Sequence, residues 1–327
     1  MVGTLRINMN SVYIEITNVC NLNCSFCPSG KANTNDADHA GEKRPREFMS
    51  SELFERCITE AATVAENVYF HVLGEPTLHP GFGLFLKKLE TTPLKLNLTT
   101  NGTTIARTGK LILSSKAVRQ VNFSTHAYAE LSAEEAKQNL QDVLDFCEYA
   151  CAERPDLYIN LRLWNVGNPQ SVAWNKYLIY KVGETFHNSL ETISLENFCS
   201  RHKSFPVAGR IYLHQDSRFE WPKVDERTGS ALQTKDERGE YSEGKNSKNT
   251  AGTCRALDTH VAILRDGRVV ACCLDYSGQI TLGNIKDVSL VEILETPLAH
   301  ELREGFKNHE LRHPLCQSCS FCKRFGK

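Results

Sequence analysis

Residues 12–28 read VYIEITNVCNLNCSFCP, a β-branched run that gives way to three cysteines, Cys20, Cys24 and Cys27. VYIEI has the composition of a strand, whereas Asn18, Asn21 and Asn23 favour turns and Pro28 and Gly30 punctuate the chain. The i, i+4, i+7 spacing of the thiols also suits a buried helical stripe. The flanking residues favour the other arrangement, three thiols on a loop leaving a strand. Such a loop can wrap an inorganic cluster. Iron–sulfur clusters usually take four thiolates, so three imply either a distant fourth ligand or one iron left open to another molecule. Zinc is the competing metal, and its paired-ligand spacings fit the triple poorly.

Outward from this stretch, residues 12 to about 200 alternate short β-branched runs with amphipathic stretches, about six repeated βα units around a parallel sheet. Strands are expected at Val12 to Ile16, Val68 to Leu73, Leu94 to Thr99, Val118 to Ser124, Leu157 to Leu163 and Thr192 to Leu195. The clearest helix opens with Ser132 and Glu135 in capping-box spacing and sets Leu140, Val143, Leu144, Cys147 and Cys151 on one face before Pro155. Cys147 and Cys151 are therefore expected in the core, as is Cys57 on the helix after Ser50.

The chain has 327 residues, 38 Lys and Arg against 39 Asp and Glu, and 41% hydrophobic residues. A net charge near zero disfavours a nucleic-acid partner, and the composition excludes disordered and fibrous classes. No run approaches eighteen apolar residues, and MVGTLRINMNSVYIEI lacks the segments of a signal peptide, so no membrane is expected and the cytoplasm is. Thirteen cysteines, an odd number gathered in groups, argue for metal rather than a disulfide framework.

Residues 215 to 251 are densely charged with few apolar anchors, as expected of a linker or mobile flap. Beyond them, HVAIL and RVVACC flank Asp266 and Gly267 in the manner of a β-hairpin, and Leu290 to Glu304 reads as a helix interrupted by Pro297. Cys254, Cys272 and Cys273 lie on or near this hairpin, and Cys316, Cys319 and Cys322 close the chain in CQSCSFCKRFGK, a tail too polar for a core. A metal would fold this module.

The stretch at 13–28 resembles the signature of the radical S-adenosylmethionine (SAM) superfamily, Cys-x3-Cys-x2-Cys with an aromatic before the last cysteine. The resemblance implies a partial (β/α)6 TIM-type barrel whose first loop holds a four-iron four-sulfur cluster at Cys20, Cys24 and Cys27. It extends to Gly74, Glu75 and Pro76, matching a turn that contacts the methionine amine, to Asn101 and Gly102, and to Ser124 near the ribose. Phe26 would lie beside the adenine. Glu75 as a surface acid and Ser124 as an ordinary strand residue remain the alternatives.

Cys254 and Cys272, spaced Cys-x12-Gly-x4-Cys, with LGNI at 282–285 and a later Cys-x2-Cys, resemble SPASM and shorter "twitch" modules. These bind auxiliary clusters. The pattern is shorter than a full seven-cysteine SPASM domain, so one auxiliary four-iron four-sulfur cluster is expected, held by Cys254, Cys272, Cys316 and Cys319. A structural zinc at the same thiols is the alternative. Cys273 and Cys322 are left as substitute ligands, spare thiols or hydrogen donors. The implied domains are 1–200, the barrel; 201–252, the linker or flap; and 253–327, a hairpin and helix module for the auxiliary cluster.

The resemblance implies reductive cleavage of SAM and hydrogen abstraction from a peptide residue or a small sugar-like alcohol. An external donor such as flavodoxin or ferredoxin would supply electrons. The alternative is a zinc-stabilised binding protein on an α/β scaffold, with a contact surface at the charged flap and Arg312, Lys323, Arg324 and Lys327. His126, Tyr128, Arg162, Asn165 and Glu196 fall near expected strand ends, where barrel sites lie, and are more weakly indicated.

Overall fold

A computed structural model of the chain describes residues 8–29, 45–188, 190, 203–218, 220–222, 224 and 250–324. In chain order its strands are β1 (Met9–Ile14), β2 (Ala65–Tyr69), β3 (Lys95–Thr100), β4 (Val118–Phe123), β5 (Tyr158–Leu163), β6 (Ser204–Ala208), β7 (Ile211–Gln215), β8 (His260–Ile263), β9 (Arg268–Val270) and β10 (Thr281–Asn284). The helices are α1 (Ser51–Val64), α2 (Phe82–Leu89), α3 (Ile105–Ser114), α4 (Ala133–Glu153), α5 (Val172–Thr185), α6 (Leu290–Leu294), α7 (Pro297–Lys307) and α8 (Pro314–Ser318). Two compact units divide them, one of residues 1–74, 92–94 and 219–327, the other of 75–91 and 95–218.

In the first unit β1 lies between two parallel neighbours, with Val12 opposite Val68 of β2 and Val261 of β8. β9 and β10 continue this side antiparallel. Val12, Ile14, Val68, Phe70, Val261 and Ile263 are fully buried on one face of these strands. Phe54 of α1 meets Phe70 edge to face at 5.4 Å. Ser50 caps α1 through the Leu53 N–H, and the core-facing residues Leu53, Phe54, Cys57, Ile58, Ala61 and Val64 repeat at helical spacing. The helix expected over Leu290 to Glu304 is two helices, because Pro297 cannot donate the backbone bond that would continue α6 and instead opens α7.

The second unit orders its strands β3, β4, β5, β7 and β6, parallel except for the last pair. Their alternation is clean. Leu98, Val121, Phe123, Leu161 and Leu213 are fully buried, and Phe123 meets Phe146 of α4 edge to face at 5.6 Å. Asn97, Thr99, Gln120, Asn122, Asn160 and Arg162 fall on the opposite side by the two-residue period. α4 carries the expected capping box between Ser132 and Glu135.

Thr192 to Leu195 lies outside the described residues, and the strand pairing in parallel with β5 is β7, Leu161 opposite Leu213. Residues 204–215, left to the linker by their sequence, thus form a hairpin in the sheet. Cys57 and Cys147 are buried as expected, but Cys151 is exposed, because Ala150 takes the inward position in the last turn of α4. Replacing Leu213 with Ala is expected to cost about 2–5 kcal/mol in urea unfolding. A loss below about 0.5 kcal/mol, the level of a surface change, would put the hairpin outside the core.

Candidate active site and metal centres

The amino-terminal thiols sit where β1 ends. The next residue, Glu15, is fully buried, and its carboxylate accepts from the backbone N–H of Leu73 at 3.2 Å and of Arg265 at 3.3 Å. Three chain segments meet on that one side chain. Thr17 then donates to the carbonyl of Glu47 at 2.8 Å, and Asn18 donates to Pro45 O at 3.0 Å while accepting from Glu47 N at 2.9 Å. Cys20, Cys24 and Cys27 follow on a non-helical loop, all partly buried, with the Cys27 N–H donating to Cys24 O at 3.1 Å. The helical-stripe alternative is therefore excluded.

Gly74 explains how this loop is approached. It has φ +76°, and a Cβ there would stand 2.3 Å from Thr17 O and 2.9 Å from Asn18 Cα. Only a residue without a side chain permits that contact.

In the second unit, Glu75 is not a surface acid. It is 1% exposed and caps the short 3-10 turn of Pro76–Leu78. Its Oε1 accepts from Thr77 N at 3.1 Å, Thr77 Oγ1 at 2.6 Å and Thr100 Oγ1 at 2.7 Å, and Oε2 accepts from Asn101 N. Burial raises its pKa, and these donors oppose the rise. Asn101 turns its own Oδ1 to Thr103 N and Oγ1 at 3.0 and 2.8 Å. Ser124 heads the 3-10 turn of Thr125–Glu130, and its hydroxyl makes no capping bond there.

The weaker candidates separate. Tyr128 is 1% exposed and donates to Asn101 O, and Asn165, fully buried, holds His126 O and Asn175 at 3.4 and 3.0 Å. Both therefore have structural hydrogen bonds. Arg162 stays partly exposed on the polar side of β5. Glu196, like Lys327, lies outside the described residues.

The second thiol group belongs to the first unit alone. β9 leads into Cys272 and Cys273, α8 carries Cys316, and Cys319 and Cys322 follow within six residues of it. Burial chiefly, then neighbouring thiols, push the pKa values of Cys254, Cys272 and Cys316 above the ordinary cysteine value. Cys322 is raised first by its hydrogen bond with Cys319, then by burial. Its Sγ also donates to Cys319 O at 2.9 Å. Cys273, raised to about 12 by burial, packs instead against the cluster of Val72, Ala262, Leu264 and Val270, and its thiol is hydrogen-bonded with Tyr13.

Buried thiols that repel one another on ionising gain stability from a multiply charged metal group. A single zinc would draw four sulfurs to about 3.8 Å apart, the edge of a tetrahedron with 2.3 Å bonds. Among the described residues no three His, Cys, Asp or Glu side chains form an arrangement that could hold one metal ion.

The sequence reading missed Asp275. It is fully buried and accepts from the N–H groups of Gly278, Gln279 and Ile280 at 3.0, 2.8 and 2.7 Å, fixing the loop that presents Cys272. An aspartate three residues before a glycine was the available sign. Glu15 was missed as well, though a lone acid in an apolar strand marks a buried partner.

Gly74→Ala adds the Cβ that the geometry forbids, at a strain of about 1–3 kcal/mol or more. Iron assays after reconstitution are expected to show loss at the amino-terminal loop with the auxiliary iron retained. Unchanged iron would mean that the loop tolerates displacement.

Comparison with known proteins distinguishes an amino-terminal and a carboxyl-terminal domain. Residues 14–164 match the family described as the Radical SAM superfamily, and residues 254–323 match SPASM, an iron–sulfur cluster-binding domain. A cofactor-modifying protein for tungsten-containing aldehyde ferredoxin oxidoreductase from Pyrococcus furiosus is 30% identical over 118 residues, 36% of this chain and 30% of that protein. The match thus spans under a third of that relative's length. Among solved structures, anSMEcpe with bound AdoMet and Cp18Cys peptide is 17% identical with a TM-score of 0.52, covering 96% of this chain and 87% of that one. Streptococcus suis SuiB bound to precursor peptide SuiA is 14% identical, TM-score 0.53, covering 96% and 71%. BtrN in complex with AdoMet and 2-DOIA is 13% identical, TM-score 0.50, covering 95% and 93%. At these identities the likeness shows the fold. With both domains matched, the chain belongs to the radical SAM superfamily and carries a SPASM-type iron–sulfur domain.

Proposed function

We propose that this protein binds SAM at a cluster held by Cys20, Cys24 and Cys27 and abstracts hydrogen from a peptide residue or a small sugar-like alcohol, assisted by one auxiliary cluster. The reading is carried by three cysteines gathered on one loop anchored through Glu15, Thr17 and Asn18. When bound, the reduced cluster supplies the electron that breaks a carbon–sulfur bond of SAM and so generates a 5′-deoxyadenosyl radical.

The chain's own residues position and shield. Glu75 is the proposed partner of the methionine amine. Its Oε2 takes one hydrogen bond against three at Oε1, so it has room for an ammonium, which would hold the buried carboxylate ionised. Pro76 fixes the turn behind it, and Asn101 supplies the N–H that orients Oε2. Ser124 offers its hydroxyl to the ribose, and Phe26 its ring to the adenine.

Cys254, Cys272, Cys316 and Cys319 are the proposed auxiliary ligands. The bond between Cys322 and Cys319 supports Cys322 as a substitute ligand. The place of Cys273 beside Tyr13 supports it as the hydrogen donor to a substrate radical. Transfer of its S–H hydrogen would leave a thiyl, restored by one electron and one proton, the electron coming from the auxiliary cluster or an external flavodoxin or ferredoxin. Relatives crystallised with peptides and one with a small molecule support both substrate classes.

Anaerobic reconstitution with iron and sulfide, followed by dithionite and SAM, is expected to give 5′-deoxyadenosine. Cys24→Ala should abolish both the visible absorption of that cluster and the product, and a fully loaded wild type that forms none would overturn the reading. Iron analysis separates the remaining thiols. Cys272→Ala is expected to lose the auxiliary iron and Cys273→Ala to retain wild-type iron, whereas loss in the latter would make Cys273 a ligand.

A further inference from the structure

One group on the polar side of the second unit has no part in cofactor binding as proposed. Along β5 the two-residue period brings Tyr158, Asn160, Arg162 and the following Trp164 to the side away from Leu161 and Leu163. The amides there are largely engaged with each other. Asn122 Oδ1 accepts from Gln120 and Asn160, both at 2.8 Å, and Asn122 Nδ2 donates to Leu98 O at 3.3 Å.

Beside these amides, Arg162 and Trp164 form a stacked pair. The guanidinium lies over the indole at 4.4 Å from the ring centre, and Nη1 points to Thr99 Oγ1 at 3.5 Å. Stacking on a ring holds the guanidinium plane still, so its donor fork is preorganised for a planar or tetrahedral anion. His126 lies nearly parallel to the same indole, centroids 6.3 Å apart, and His214 tilts towards it at 6.2 Å. The indole Nε1–H is buried with no hydrogen-bond partner among the described residues. A buried donor left unsatisfied costs about 1–3 kcal/mol, which an acceptor from a ligand would recover.

We propose that Arg162, flattened on Trp164, anchors a carboxylate or phosphate group of the substrate, with the Trp164 N–H as a second donor. This deepens the function proposed above and rests on it in calling the ligand a substrate. Burial, and then the charge of Arg162, hold His126 at about 4 and His214 below the ordinary histidine value. Both rings are therefore neutral at physiological pH and compete little for the anion. A carboxylate could also come from SAM, so the test separates the two sources.

Reconstituted holoprotein is titrated with glycolate and with inorganic phosphate, following tryptophan fluorescence, with Trp164→Phe identifying the reporting ring. A saturable response is expected in the wild type, at least tenfold weaker in Arg162→Gln and intermediate in Arg162→Lys, which keeps the charge without the fork. Should Arg162→Gln fail to fold, Arg162→Lys carries the comparison. No saturable response in the wild type, or no weakening in the variants, overturns the proposal. In the second arm, calorimetry with SAM and with 5′-methylthioadenosine is expected to give wild-type affinities in Arg162→Gln. A tenfold loss for SAM alone would assign the anion to the cofactor and overturn the substrate role. None of these failures would prevent the wild type from forming 5′-deoxyadenosine, so they remain distinct from failure of the radical chemistry.

Discussion

A carboxylate with no solvent contact must be surrounded by donors, and Glu15 imposes that condition at the point where β1 releases the cysteine loop. Its bonds to Leu73 N and Arg265 N bring the exits of three neighbouring strands, β1, β2 and β8, to one side chain. A buried hydrogen bond contributes about 0.5–1.5 kcal/mol, and two from separate segments help to order loops that have little apolar surface of their own. The approach of Gly74 to Thr17 becomes possible only after that alignment. The loop therefore owes its place to backbone donors arriving from residues about 58 and 250 positions away in sequence.

The same logic governs the carboxyl-terminal thiols, with the balance reversed. There burial chiefly, and neighbouring thiols after it, oppose the ionisation of Cys254, Cys272 and Cys316. Asp275 resembles Glu15 in method, since a buried carboxylate gathers three consecutive backbone N–H groups and makes a short loop rigid. In each case a buried acid that accepts from main-chain N–H groups fixes the loop on which sulfur is presented.

The sequence disclosed most where a local rule sufficed. Turn residues around Cys20 to Cys27, the Ser132 and Glu135 pair and Pro297 each act within a few positions, and each element forms as expected. Where the outcome depended on distant partners, the reading faltered. β7 is a five-residue strand beside a densely charged segment, and only its pairing with β5 distinguishes it from linker. Cys151 misled because helical spacing of three and four residues is equivalent on paper, while the packed helix turned Ala150 inward. Tyr128 and Asn165 stand near strand ends, yet Tyr128 bonds to the Asn101 carbonyl and Asn165 to the His126 carbonyl and the Asn175 amide, partners that no motif announces. Glu15 and Asp275 were legible as residues but silent as contacts, because their partners are main-chain amides and carry no side-chain signature.

The second unit shows why polarity alone is a poor guide to function. Asn122 is fully buried and polar, yet its amide is spent on Gln120, Asn160 and the backbone, so it specifies register rather than offering donors to a ligand. Four residues on from Asn160, just beyond β5, Trp164 keeps a buried N–H with no acceptor among the described residues, beneath a stacked guanidinium. A closed network stabilises the sheet whether or not anything binds. An open donor beside a fixed cation is a standing cost that folding alone does not recover. It is therefore the incomplete part of this polar side, and not its most buried part, that points outward to chemistry.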